Sequence, residues 1–143
     1  MRPYRDQTRR TYRAELEVFR SAPINKAIPH KRAQKLVIER LPAWRVVSNE
    51  TFDQAWCYLD LKRISLGKKS PAWMLCHELA HARVEEAGLP TGHHAVFRFE
   101  YLEVVEDIIG KGWRGSLEKG FRGAGLPVCR SGEQPGSWFS RLW

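Results

Sequence analysis

The chain has 143 residues, 43% of them hydrophobic, with six tryptophans and a formal net charge of +8. That length and composition predict one globular domain around a single core and exclude an intrinsically disordered chain. No apolar run approaches the ~20 residues that a membrane-spanning helix needs, and the opening "MRPYRDQTRRTYRAE" lacks the apolar stretch of a secretion signal, so a cytoplasmic protein with no membrane partner is expected.

Residues 6–21, "DQTRRTYRAELEVFRS", read as an amphipathic helix with Tyr12, Leu16 and Phe19 on one face, Ala22 just beyond, and Asp6 or Thr8 as its cap. Two prolines in "SAPINKAIP" break the pattern. A second helix is expected from about His30 to Leu41, with Ala33, Leu36, Val37 and Leu41 on its apolar face and Pro42 after it. The period then shortens: "AWRVV" at 43–47 and "CYLDLKRISLG" at 57–67 predict two or three strands. Pro71 suits the first turn of the next helix, with Ser70 as cap, and Gly88 and Pro90 stop that helix after about Ala87. Trp73, Met74, Leu75, Cys76, Leu79, Ala80, Ala82 and Val84 make it apolar on most sides, as a central, buried helix is. A further helix is expected at about 94–109, a short last one within "GSLEKGFRGAGLPV", and a tail from Cys129.

The central helix carries His77, Glu78 and His81 as H-E-x-x-H. Residues four apart on a helix lie one above the other, so two imidazoles can face one ion, and zinc accepts such nitrogens at about 2.0–2.1 Å. Glu78, one position round the helix, is placed to take a proton from a water that zinc has acidified. Two histidines and a glutamate with no partner would be costly in so apolar a helix, and a metal removes that cost. A third ligand is needed. His93 and His94 follow the turn after the motif, and Glu100 and Glu103 offer a carboxylate from the next helix, whereas His30, near a helix start, reads as a surface residue. Position relative to the turn favours a histidine, but spacing does not choose between His93 and His94.

The stretch "HELAHARVEEAGLPTGHHAVF" resembles SprT-like zincins, whose pattern is H-E-x-x-H, a variable turn, then H-G-x-x-[FW]. The chain is similar more closely to a metallohydrolase family of actinobacteria and their phages, in "RDQTRRTYRAE", in "ISLG" before "PAWMLCHELAH", and in "H…F…YLEVV" after the motif. The resemblance covers roughly residues 5–128 and implies an α+β, zincin-like small domain, a short mixed sheet packed on the H-E-x-x-H helix with flanking helices, followed by a tail at 129–143. It implies that His77, His81 and His93 bind Zn²⁺, that Glu78 is the catalytic base and that Phe97 holds the aromatic position; His94 stands where the pattern has glycine. Tyr101 matches a family position where its hydroxyl could steady an oxyanion, against the plainer reading of a core tyrosine. Zincins are similar to one another in setting an edge strand above the metal, a role that "RISLG" would fill by pairing with a peptide. The implied activity is a zinc metallopeptidase acting on a peptide or protein. SprT-like relatives imply proteolysis near DNA, with a zinc ribbon in some, and this chain lacks the ribbon cysteines.

Cys57, Cys76 and Cys129 are widely spaced and odd in number, which predicts free thiols and excludes a disulfide framework. Charge is uneven: residues 1–40 hold eleven Lys/Arg against four Asp/Glu, 41–110 hold seven against ten, and 111–143 hold six against two. Basic ends can attract nucleic acid, or simply keep a surface solvated. Within "GKGWRGSLEKGFRG", Trp113, Arg114, Phe121 and Arg122 could stack on a single strand; the alternative docks Leu117 and Phe121 into the core. The terminal "WFSRLW" at 138–143 suggests a contact with the body of the protein or with a partner. A non-enzymatic alternative for the whole is a zinc-stapled module whose basic ends bind nucleic acid or protein.

Overall fold

The computed structural model describes residues 3–129, so the terminal "WFSRLW" and nearly all of the expected tail lie outside the described residues. In chain order the elements are α1 (Pro3–Phe19), α2 (His30–Arg40), β1 (Arg45–Ser48), β2 (Ala55–Tyr58), β3 (Arg63–Leu66), α3 (Ala72–Glu86), α4 (Ala95–Ile108) and α5 (Lys111–Gly123). This is a small α+β domain with five helices and a three-stranded mixed sheet, among the described residues.

The expected pair of strand regions resolves into three strands. After β1 the chain reaches the far edge as β2, turns through residues 59–62, and returns as the central strand β3. Lys62 takes the left-handed turn at φ +52°. β3 pairs in parallel with β1 (Val46 opposite Ile64) and antiparallel with β2 (Cys57 opposite Ile64). "RISLG" is therefore not an edge strand, because both of its sides are paired; the open edge nearer the motif helix belongs to β2.

α3 packs against β2 and β3 on one side and α4 on the other; α5 lies on α4, and α1 runs along α5. Burying Trp73, Leu75, Cys76, Leu79, Ala80, Ala82 and Val84 all round α3 is what its near-uniform apolarity requires. Its end is a Schellman stop: Leu89 N–H donates to Val84 O (3.2 Å), Gly88 N–H donates to Glu85 O (2.9 Å), and Gly88 supplies φ +71°. Its start differs from expectation. Pro71 itself is the cap residue, with no side-chain cap. The Ser70 hydroxyl accepts from Gly67 N–H (2.9 Å) and faces Gln54 O (3.4 Å), tying the β2–β3 corner instead.

The largest departure is in α1, which begins three residues before the expected start, so Asp6 and Thr8 lie within the helix and not at its start. Its inward residues are Thr11, Ala14, Glu15 and Phe19, while Tyr12 and Leu16 stay 45% and 44% exposed. The helix is thus rotated from the face that apolar spacing predicts, and a carboxylate enters the core. At the other end, Leu117 and Phe121 dock into the core as one of the two readings expected, and Arg114 and Arg122 are engaged with Glu103, Glu106 and Glu118. With its ring buried, Phe121 offers no face for a base to stack on. Among the described residues, Cys57, Cys76 and Cys129 form no disulfide. No helix among the described residues is long and apolar enough to cross a membrane.

Candidate metal centre

The helical pitch sets His77 and His81 on one side of α3, where their ring centroids lie 5.0 Å apart. The chain then turns back through Gly92, whose φ of +125° is closed to most side chains, and delivers His93 onto the pair. His93 Nε2 lies 3.1 Å from His77 Nε2 and 3.2 Å from His81 Nε2. The three ligand atoms all lie within 4.8 Å of one another. Nitrogens bound to one tetrahedral zinc stand roughly 3.3 Å apart, from bond lengths of about 2.0–2.1 Å, so the spacing is that of a three-imidazole site able to hold a metal ion.

The chemistry of the three rings agrees with the spacing. Glu15 Oε2 lies 2.8 Å from His77 Nδ1, with both side chains 4% exposed. A proton on Nδ1 donated to that carboxylate leaves the Nε2 lone pair free. Burial, then the neighbouring imidazoles, push His81 down to about 2; burial, then His77, Arg98 and His94, push His93 down to about 3. Burial also disfavours the charged form of His77, but the Glu15 charge and hydrogen bond outweigh it and raise its pKa. Neutral imidazoles with nitrogens this close repel unless a proton or a cation lies between them. The buried His93 Nδ1 has no hydrogen-bond partner, which leaves His93 less well satisfied by the protein alone than His77 is. Phe97, wholly buried, backs all three: stacked on His81 (4.2 Å, 19°) and edge-on to His77 and His93 at 5.1 and 5.0 Å.

The structure separates the candidate ligands. His94 points away from the cluster and caps α4, accepting from Phe97 N–H at Nδ1 (3.1 Å) while its Nε2 meets Pro90 O (2.6 Å). Glu100 pairs with Arg83 (2.8 Å) and Glu103 with Arg114. His30 lies at an exposed position beside Ser48 (3.2 Å). The His93 loop is fixed from below by Arg98, which is fully buried with no carboxylate partner among its hydrogen bonds: it donates to His93 O and, at 2.9 and 2.7 Å, to Pro127 O. Burial lowers its pKa to about 10.

A cleft of about 520 Å³ opens over the cluster. Glu78 lines it, and burial, opposed by His77 and assisted by Glu15, raises its carboxyl to about 7. Tyr101 does not line it: the ring is fully buried, edge-on to His77 at 5.3 Å, and its hydroxyl donates to Trp73 O at 3.3 Å. The tyrosine in the cleft is Tyr12, stacked on His77 (5.6 Å, 7°) and tilted over His93 (5.0 Å). From the sequence Tyr12 has only a place on an apolar helix face, Tyr12 and Glu15 fall in the "RDQTRRTYRAE" segment of the resemblance without a role, and Arg98 carries no signal. For α1 the apolar spacing pointed to the wrong face, and no local signal ties Glu15 to a histidine 62 positions away.

No family model, no curated protein and no solved structure matches the chain. What defines the site is therefore its own geometry: a cluster of three histidines able to hold a metal ion, with a carboxylate beside it at the floor of an open cleft.

Proposed function

We propose that this protein is a zinc-dependent hydrolase of peptide bonds on a zincin-like scaffold. The observation that carries the reading is the convergence of His77, His81 and His93 through Nε2 beside Glu78 in one cleft. Three imidazoles suit zinc among several transition metals, and a motif glutamate beside them is what water-activating chemistry requires. When bound, zinc supplies a Lewis acid that polarises the carbonyl and acidifies a water. The protein's own groups do the rest. Glu15 holds the His77 ring in the tautomer with a bare Nε2. Glu78 takes a proton from the attacking water at its carboxylate and returns it to the leaving nitrogen. The water oxygen bonds the carbonyl carbon, the C–N bond breaks, and an amine and a carboxylic acid result, the acid then losing its remaining proton to solvent. The β2 edge beside the cleft supports a peptide as the substrate, because an extended chain can pair with it.

Metal analysis of protein purified without added zinc, together with peptide hydrolysis by wild type and Glu78→Gln, tests the reading. The expected result is near-stoichiometric zinc in both proteins and a loss of turnover of at least about a hundredfold in the variant. Equal turnover in the two removes Glu78 from the chemistry. Absence of turnover in wild type, with unfolding on chelation, leaves the metal a structural staple.

A further inference from the structure

The cleft differs from the rest of the molecule in charge. The chain has 24 Lys and Arg, yet among the described residues that line the cleft none is Lys or Arg, and its carboxylates are Glu15 and Glu78. Among the described residues, Arg10, Arg13 and Lys119 border a separate groove between α1 and α5. The walls over the histidines are instead apolar: Tyr12 and Leu16 from α1, Trp56 from β2, Leu59 after it, and Trp73 and Met74 from α3. Tyr12, Leu16 and Trp56 keep 45%, 44% and 43% of their surface exposed. Large side chains left in water around a concave site mark a ligand surface.

The open strand adds a direction. Gly67 N–H donates to Gln54 O (2.9 Å), so in the antiparallel register Trp56 and Tyr58 take the hydrogen-bonded positions opposite Ser65 and Arg63. Ala55 and Cys57 consequently turn their N–H and C=O groups outward, to the open edge. Gln54, Ala55, Trp56 and Cys57 all border the cleft, so unpaired backbone groups and apolar walls meet above the histidines.

We infer that the substrate is an internal, extended stretch of polypeptide with bulky apolar, uncharged side chains beside the scissile bond. The inference rests on the hydrolase reading and narrows it to an endopeptidase. A terminal carboxylate, an acidic side chain or a phosphodiester is ordinarily received by Arg or Lys; here each would enter a cleft whose described lining holds carboxylates and no such cation. An internal peptide brings no net charge, matches the outward groups of Ala55 and Cys57, and buries apolar side chains against Leu16 and Trp56.

Two measurements test this: mapping of cleavage sites in a peptide pool by the zinc-loaded wild type, and binding of synthetic peptides to zinc-loaded Glu78→Gln. Cleavage is expected at internal bonds flanked by Leu, Met, Phe, Tyr or Trp. Asp or Glu at the same positions lowers kcat/KM about tenfold or more, and Leu16→Ala and Trp56→Ala each lower it about tenfold for apolar peptides with zinc content unchanged. Cleavage indifferent to the flanking residues overturns the inference and leaves the hydrolase reading standing. Removal of C-terminal residues, a preference for acidic flanks, or cleavage of a phosphodiester in place of peptides also overturns it. Tight binding of apolar peptides by Glu78→Gln without turnover in wild type keeps the ligand class and sinks the hydrolase reading; neither binding nor cleavage ends both.

Discussion

The two sides of the histidine cluster are built differently. On one side, α3 and the loop before α4 supply His77, Glu78, His81 and His93 from a span of 17 residues, ordered by helical pitch and one tight turn. On the other, the N-terminal helix α1 sends Tyr12 and Glu15, the latter 62 positions before His77 in the chain, held in place by packing along α5. Chelation geometry can be encoded locally, whereas the groups that orient a ligand and roof a cleft can come from any element the fold brings near. The comparison predicts a graded response: loss of metal for changes on the α3 side, weakened or redirected function for changes on the α1 side.

The largest effect is expected at His93. His93→Ala should weaken zinc binding well beyond the roughly hundredfold that loss of an outer partner costs, measured by competition with a chromophoric chelator. His94→Ala should leave zinc affinity near wild type and lower stability by about 1 kcal/mol through the lost cap of α4. The reverse pattern would move the third ligand to the neighbouring ring.

Glu15→Gln comes next. It keeps an acceptor near His77 Nδ1 but removes the charge, and zinc affinity should fall about 10–100-fold in the same competition assay. An affinity equal to wild type would reduce α1 to a packing element and erase the distinction between the two sides.

The smallest effect is expected for Tyr101→Phe. The hydroxyl is buried against Trp73 O, outside the cleft, so its removal should cost about 1 kcal/mol in thermal or denaturant unfolding and leave kcat within a few-fold of wild type. A fall in kcat of about a hundredfold would restore Tyr101 as the group that meets the developing oxyanion.

The helices expected at about 30–41, 71–87 and 94–109 and the two-to-three-strand middle correspond to the observed elements with small shifts in their ends, because apolar period, proline and glycine act within a few residues of where they stand, whereas α5 is longer than expected and starts at Lys111, before the segment expected to hold it. Where tertiary packing competes with that pattern, the sequence misleads. Tyr12 and Leu16 sit at the correct spacing for a buried face, yet they border a cleft, because Glu15 turns inward to His77 and rotates the helix with it. "RISLG" reads as well for an edge strand as for a central one, since strand order depends on which partners the chain meets after folding.

By itself the sequence determined that His77 and His81 face the same way with Glu78 beside them, since a helix fixes the direction of residues four apart wherever it lies. Spacing could not choose between His93 and His94, which are adjacent and chemically identical, and only the resemblance to zincins favoured His93. The tertiary structure decided that, by using one imidazole to cap α4 and leaving the other, held by Arg98 at its carbonyl, to close the cluster. The same packing decided that Glu15, not a residue near the motif, would meet His77, because a buried imidazole takes its proton acceptor from whichever element the core presses against it.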